Sequence, residues 1–224
     1  AARLTVRLGA IGANWRECVR RAGGAQVAGV VKADGYGLGM AKVASALAGQ
    51  GCDTFFVARL SEGVALRRAL PSARIFVLDG APPQAIPALI ASNLTPVLNS
   101  LAEIAALSEA AGRGGLDAAI HIDTGMNRLG LPPEELATLA AEVPARLKNI
   151  RVKLLMSHLA CADDPSSPMN AVQLSRFRAA LAALPPAPAS LASSGGVLLG
   201  PDYMFDMVRP GLGLYGGNPQ NEKP

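Results

Sequence analysis

The chain has 224 residues, of which 50% are hydrophobic and 17% charged, a balance that excludes disorder as its main state. Its 21 basic and 17 acidic residues give a net charge of +4; the basic residues are scattered, so we expect no nucleic-acid partner. No apolar run reaches the roughly 18 residues of a membrane span, so we expect no membrane contact.

The number and spacing of the cysteines indicate the redox environment of the protein. Cys18, Cys52 and Cys161 are too far apart for a metal-binding pair, and their odd number does not suit a disulfide framework. No secretory signal is visible at the start of the chain. We therefore expect a reducing, cytoplasmic environment.

Eight short β-branched or apolar runs alternate with alanine-rich stretches of helical period. The runs are 27–31, 55–58, 75–78, 96–98, 118–122, 152–156, 189–192 and 207–209. Intervals of roughly 20 to 35 residues leave room for one helix and two loops between strands. The order predicts an α/β fold, a (β/α)8 TIM-type barrel over residues 1–217. An open, doubly wound sheet is the alternative.

Helix signals fall between the strands. Ile11, Trp15 and Val19 repeat every fourth residue and predict a helix against the outside of the barrel. Ser100 and Glu103 form a capping box that predicts the start of another helix.

Two further helix starts are predicted later in the chain. Pro133, with Pro132 before it, can open one, because proline lacks only an amide that the first turn leaves unpaired. Asn170 and Gln173 have the spacing of a second capping pair, ahead of an apolar face that includes Phe177.

A barrel carries its chemistry just beyond the carboxyl ends of its strands. A polar residue follows each predicted strand closely. These residues are Lys32, Arg59, Asp79, Asn99, Asp123, His158, Ser194 and Arg209.

Lys32 follows the apolar run VAGVV and precedes ADGYGLG. Apolar walls favour the uncharged amine, which can condense with an aldehyde to a Schiff base. A lysine that simply extends to solvent is the alternative. Tyr36 lies between glycines, and small residues around Ser194 and Gly211 leave backbone N–H groups free to hold a phosphate. Together these features indicate an aldehyde that carries a phosphate.

Five sequence blocks, VVKADGYGLG, HIDTGMNRLG, SHLACAD, ASSGG and MVRPGLGLYG, occur in this order between residues 3 and 217. In sequence and order they resemble the alanine racemases, fold type III enzymes that use pyridoxal 5'-phosphate. The resemblance implies interconversion of L- and D-alanine, D-alanine supply for peptidoglycan, and a homodimer in the full-length protein.

The resemblance also implies roles for the cofactor-binding residues. Lys32 would bind the cofactor covalently and act as one of two acid/base groups, and Arg209 would face the pyridine nitrogen. A guanidinium only donates, so that nitrogen would stay unprotonated and reprotonation would be favoured over transamination. The phosphate would be held by Tyr36, Ser194 and the backbone of Gly211 and Leu212.

Three more residues would serve the substrate side of the site. Arg128 would contact the cofactor's phenolic oxygen and position the substrate carboxylate, to which Met126 would offer its backbone amide. His158 would link Arg209 to the second acid/base group. His121 stands where many family members have a carbamylated lysine, so the local charge is open.

The larger departure from the family pattern is that a second domain is not found in these 224 residues. Family members continue into a mostly β C-terminal domain, which supplies a tyrosine as the second acid/base group across a dimer interface. We expect residues 218–224 to begin the interdomain linker and the barrel alone to racemise little, because one base serves one face of the α-carbon.

Other functions remain open at this stage. A single-domain pyridoxal phosphate carrier without turnover is one alternative, and serine or a broader substrate range is not excluded. A metal-dependent hydrolase using His121, His158 and Asp123 is another, although two histidines and no HxH pair make a poor ligand set. We expect no metal.

Overall fold

The computed structural model describes residues 3–220, so the end of the predicted linker, 221–224, lies outside the described residues. Its strands lie where the sequence predicts them. They are β1 (Gln26–Val27), β2 (Gly29–Val30), β3 (Thr54–Val57), β4 (Arg74–Val77), β5 (Thr95–Leu98), β6 (Leu116–His121), β7 (Ile150–Met156), β8 (Ala189–Ser190) and β9 (Met207–Val208).

All the strand pairs are parallel, and the sheet closes on itself. Strands β2 to β8 pair in chain order, and β1 pairs with β9. Only Ala28 separates β1 from β2, and its N–H donates to the carbonyl of Val208 (3.0 Å). On the other side of β9, the N–H of Arg209 donates to the carbonyl of Ala192 (2.9 Å). With β1 and β2 as one interrupted strand, these bonds make the eight-stranded barrel predicted from the sequence.

The alternation of side chains along the strands creates two cores. Phe55 points outward into the large core between strands and helices, whereas Phe56 points into the barrel. Inside, the Phe56 and Phe76 rings stack with centroids 4.7 Å apart. This stacked pair fills the barrel interior, and Phe56 also borders the cavity at the carboxyl end of the strands.

The helices cover the outside of the barrel. They are α1 (Leu8–Arg21), α2 (Lys32–Tyr36), α3 (Met40–Ala48), α4 (Leu60–Ala69), α5 (Ile86–Ala91), α6 (Leu101–Ala111), α7 (Pro133–Ala141), α8 (Val143–Arg146), α9 (Pro168–Ala183) and α10 (Ser194–Leu198). The helices predicted as α1, α6 and α7 are present: Trp15 Nε1 donates to the carbonyl of Val27 (3.2 Å), Ser100 accepts from the N–H of Glu103, and Pro133 begins α7. Two details differ: Val19 is exposed instead of facing the barrel, and the Glu103 carboxylate accepts from Asn99 and not from Ser100, so only half of the capping box forms. Within residues 3–220, no helix combines the length and apolarity needed to cross a bilayer.

The predicted start of α9 is wrong. The helix begins at Pro168, and Asn170 and Gln173 lie inside it, both buried. Their side chains bond to loops outside the helix, and Gln173 reaches residues 124, 158 and 160. The two polar residues thus have the spacing of a cap but serve tertiary contacts.

Candidate active site

A cavity of about 310 Å³ opens at the carboxyl ends of the strands. It contains every residue that the sequence assigned to a cofactor or substrate. These residues are Lys32, Tyr36, Met126, Arg128, His158, Ser194, Arg209, Gly211 and Leu212. Of the other strand-end residues, Arg59 and Asp79 form an exposed ion pair (3.9 Å) instead of lining the cavity.

Lys32 reaches the cavity because the chain turns sharply after β2. Ala33, Asp34, Gly35 and Tyr36 all have positive φ, so α2 winds left-handed, which is unfavourable for residues other than glycine. Two carboxylates hold this turn: Glu62 accepts from the N–H of Ala33 (2.6 Å), and Asp34 from that of Met40 (2.8 Å).

The environment of Lys32 makes its ammonium easier to deprotonate. Burial lowers the pKa of the ammonium, and the nearby positive charge of Arg128 lowers it further, while Glu62 and Asp79 act in the opposite direction. A partly desolvated lysine in a cavity is the arrangement expected of an amine nucleophile.

Arg209 is a buried cation whose donors are directed by the barrel wall. Its Nη2 donates to the carbonyl of Ser157 (2.6 Å), and its Nη1 donates to Ser190 Oγ, which in turn donates to the carbonyl of Met207 (2.6 Å). The guanidinium lies 5.9 Å from the centroid of the Phe56 ring. Burial lowers its pKa to about 10, so it remains charged at neutral pH.

Ser194, Gly211 and Tyr36 form a close-packed corner of the cavity. Ser194 Oγ accepts from the N–H groups of Gly211 (2.9 Å) and Gly213 (3.0 Å), which leaves its own proton available to donate. A Cβ on residue 211 would lie 2.2 Å from the phenol oxygen of Tyr36. Glycine is therefore required where these two segments meet.

Arg128 and Met126 lie on a loop whose conformation is held by hydrogen bonds to Asp123. One oxygen of Asp123 accepts from the N–H groups of Gly125 (2.9 Å), Met126 (2.9 Å) and Asn127 (3.1 Å). The amide of Met126 is thus bonded to Asp123 in this structure. A substrate carboxylate would have to replace Asp123 as its acceptor, so the role of this amide stays a prediction.

The two histidines differ in their surroundings. His121 is buried, and its Nδ1 bonds to Asn99 Oδ1 (2.9 Å). The amide of Asn99 donates to the carbonyls of Leu78 (3.1 Å) and Val97 (2.9 Å), so Oδ1 is the acceptor and Nδ1 of His121 carries the proton. Burial, followed by Arg209, lowers the pKa of His121 to about 3. The local charge left open by the sequence is therefore neutral.

His158 lines the cavity and is partly exposed there. Desolvation lowers its pKa, and the nearby Arg209 and Arg128 act in the same direction. Its imidazole is consequently neutral at pH 7, able both to donate and to accept a proton.

The chain matches the family described as "Alanine racemase, N-terminal domain" over residues 6–219. The chain belongs to the alanine racemase family. The order of the five blocks and the cavity residues agree with this assignment.

Named alanine racemases resemble the chain in both sequence and structure. A catabolic alanine racemase of Mesorhizobium japonicum is 50% identical over 224 residues, covering 99% of this chain and 58% of that protein. An alanine racemase of Rhizobium meliloti is 49% identical over 225 residues, covering 99% of this chain and 58% of that protein. The crystal structure of the Bartonella henselae alanine racemase, with covalently bound pyridoxal phosphate, superposes with a TM-score of 0.93 at 39% identity.

The match covers only part of these racemases. The Bartonella henselae structure is matched over 98% of this chain but 64% of that chain. The match to the Pseudomonas aeruginosa biosynthetic alanine racemase covers 96% of this chain and 60% of that chain, with a TM-score of 0.88 and 34% identity. The chain thus spans about three fifths of the length of the racemases it matches.

Several supporting residues of this racemase barrel were missed from the sequence. Glu62 holds the turn after Lys32, Asn99 sets the tautomer of His121, and Gln173 joins two loops of the cavity. The sequence shows Asn99 only as a polar residue at a strand end and predicts a capping role for Gln173. Among residues 3–220, no group of three or more His, Cys, Asp or Glu side chains could hold a metal ion.

Proposed function

We propose that this chain is the cofactor-binding barrel of an alanine racemase, which interconverts L- and D-alanine with pyridoxal 5'-phosphate. The observation that carries the proposal is one cavity that contains a desolvated lysine amine, a buried guanidinium and a serine–tyrosine–glycine corner. These are the groups needed for an aldehyde, a heterocyclic nitrogen and a phosphate, respectively.

The residues present fit this cofactor. At the corner, the Ser194 hydroxyl and the Tyr36 phenol are both available to donate to phosphate oxygens, and the missing side chain of Gly211 leaves room for the phenol. Gly211 donates its own N–H to Ser194, so the backbone contribution rests on Leu212 unless that bond is exchanged. The volume of about 310 Å³ suits a small cofactor with a small amino acid.

When bound, the cofactor supplies an aldehyde and a ring that draws electron density from the substrate's α-carbon. Lys32 would hold the cofactor and, as a free amine, take or return the proton at the α-carbon. Arg209 would face the ring nitrogen. Because a guanidinium only donates and keeps its charge here, a ring nitrogen facing it would have to accept and stay unprotonated, which would favour return of the proton over loss of the amino group.

Arg128 and His158 complete the cavity wall. Arg128 would hold the substrate carboxylate, for which a planar guanidinium is suited. His158 would connect Arg209 with the second acid/base group and, being neutral, adds no further positive charge beside Lys32. Both roles rest on the family resemblance and on the position of these side chains in the cavity.

Domain limits and cellular context are proposed from the resemblance alone. We place the barrel at residues 1–217 and the start of a linker at 218–224, with a C-terminal β domain in the whole protein. That protein would be a cytoplasmic homodimer supplying D-alanine for peptidoglycan.

Lys32→Ala tests the proposal directly. The purified chain is mixed with pyridoxal phosphate, reduced with borohydride and analysed by peptide mass spectrometry. We expect one reduced cofactor on Lys32 in the wild type and in the exposed-lysine control Lys42→Ala, and none in Lys32→Ala. Equal labelling of several lysines, or labelling unchanged in Lys32→Ala, would refute the cofactor site.

A further inference from the structure

Gln173 is a polar side chain buried completely in the middle of α9. Its amide bonds to two of the loops that border the cavity, the one after β6 and the one after β7. Nε2 donates to Thr124 Oγ1 (3.0 Å) and to the carbonyl of His158 (3.0 Å), and Oε1 accepts from the N–H of Ala160 (2.8 Å). Since a backbone N–H only donates and a carbonyl only accepts, these partners determine the orientation of the amide.

The hydrogen bonds continue from Thr124 to Arg209. Thr124 Oγ1 accepts from Gln173 and also bonds to Ser157 Oγ, 2.8 Å away, where either hydroxyl can donate. The carbonyl of Ser157 accepts from Arg209 Nη2 (2.6 Å). Thr124 and Ser157 are 3% and 1% exposed, so this network lies almost entirely out of contact with water.

Burial of an amide of this kind destabilises the folded state unless all its hydrogen bonds are made. An apolar residue would fill the same space in α9 without that requirement. What the amide adds is a definite position for the main chain on both sides of residue 159, which a nonpolar contact does not impose. Arg176, one turn of α9 further on, supports the same arrangement by donating to the carbonyl of Thr124 (3.0 Å).

We propose that Gln173 is a positioning residue, which sets the place of His158 at the cavity wall and, through Thr124 and Ser157, that of Arg209. The inference rests on the proposed function, because the cofactor and substrate give those two side chains their use. The side chain of Gln173 itself is buried behind the loops and acts through them.

The pKa of His158 depends on where its side chain lies in the cavity. The titratable groups that face it are Arg209, Arg128, His121 and Lys32, and each of them, together with desolvation, lowers its pKa. A loop freed from Gln173 would move His158 towards water and away from the positive charges of Arg209 and Arg128. Both changes raise the pKa of His158 towards its ordinary value.

The chain has two histidines, so ¹⁵N-histidine NMR resolves both titrations without cofactor. In Gln173→Met, which keeps the length of the side chain but removes its hydrogen bonds, we expect the pKa of His158 to rise by about 1 to 2 units. His121, held by Asn99 and kept neutral first of all by burial, should shift less than His158. We also expect the Ala160 amide to exchange with solvent at least about 10-fold faster, since its acceptor is gone.

Phe177→Leu is the matched control, because Phe177 lies in the same helix, is fully buried and packs against Phe205. It destabilises α9 without touching the network, so His158 should titrate as in the wild type. Gln173→Asn keeps an amide but is one methylene shorter; it is the second variant if Gln173→Met does not fold, with a shift expected in the same direction.

Wild-type titration of His158 in the folded Gln173 variants would overturn the inference, as would an equal shift in Phe177→Leu. Because the measurement uses the chain without cofactor, its failure leaves the Lys32 labelling result intact. Failure of the Lys32 labelling would contradict the proposed function. The histidine titration would still test whether Gln173 positions His158.

Discussion

His121 illustrates how one buried side chain links the site to stability. It is 6% exposed and donates from Nδ1 to Asn99. Its pKa falls from 6.5 to about 3 in the folded chain, so between these values the unfolded state binds a proton that the folded state excludes. The stability that neutral His121 contributes is complete above pH 6.5 and is lost as the pH falls towards 3.

We therefore expect acid to destabilise the wild type more than His121→Gln, whose amide can still donate to Asn99 but does not titrate. From pH 7 to pH 5, the free energy of unfolding should fall by about 2 kcal/mol more in the wild type. Urea unfolding at both pH values measures this, and comparison with the variant cancels the carboxylates common to both. Equal pH dependence of the two proteins would contradict the buried neutral histidine.

At the scale of elements, glutamates near helix starts bind backbone N–H groups at the mouth of the barrel. Glu62 of α4 accepts from Ala33, Ala58 and Arg59, at 2.6, 2.8 and 3.2 Å. Glu135 of α7 accepts from Leu101 (2.7 Å), the first residue of α6. These carboxylates join one strand–helix unit to the previous one, so the cavity loops are held by their neighbours.

Glu62→Gln tests whether these carboxylates stabilise the cavity loops. A neutral amide keeps one acceptor oxygen but turns an NH2 group towards the remaining backbone N–H, so the free energy of unfolding should fall by about 1 to 2 kcal/mol. Because Glu62 raises the pKa of Lys32, its neutralisation should lower that pKa and move the pH midpoint of cofactor trapping to lower pH. Glu134→Gln, at an exposed position in the first turn of α7, is the control. An unchanged trapping midpoint in Glu62→Gln would argue against the coupling of Glu62 with Lys32.

The sequence predicted elements and motif residues better than the contacts that support them. β-branched or apolar runs revealed all the barrel strands because strands of a buried parallel sheet are apolar on both faces. The start of α9 was misread because Asn170 and Gln173 have the spacing of a capping pair, whereas Pro168 begins the helix. Gln173 bonds to Thr124, 49 residues away, and Glu62 bonds to Ala33, 29 residues away. Such pairings depend on the closed barrel, so local patterns cannot reveal them.

At the scale of the whole molecule, the described residues would present one base, Lys32, to one side of a substrate. Of the described tyrosines, only Tyr36 lines the same cavity, where it packs against Gly211 in the corner with Ser194. Tyr215 donates to the carbonyl of Val30 (3.0 Å), and Tyr203 lies in the turn before β9, at the amino end of that strand. Burial also raises the pKa of Tyr215, which disfavours the phenolate needed of a base.

One base returns a proton only to the face from which it took it, so the barrel alone should exchange the α-proton of alanine without inverting it. In deuterated water with bound cofactor, we expect deuterium to enter one enantiomer at least about 100-fold faster than the other enantiomer forms. NMR follows the exchange, chiral chromatography follows inversion, and Lys32→Ala should abolish both. Inversion as fast as exchange would place a second acid/base group within these residues, and His158, neutral and in the same cavity, would then be the side chain to change.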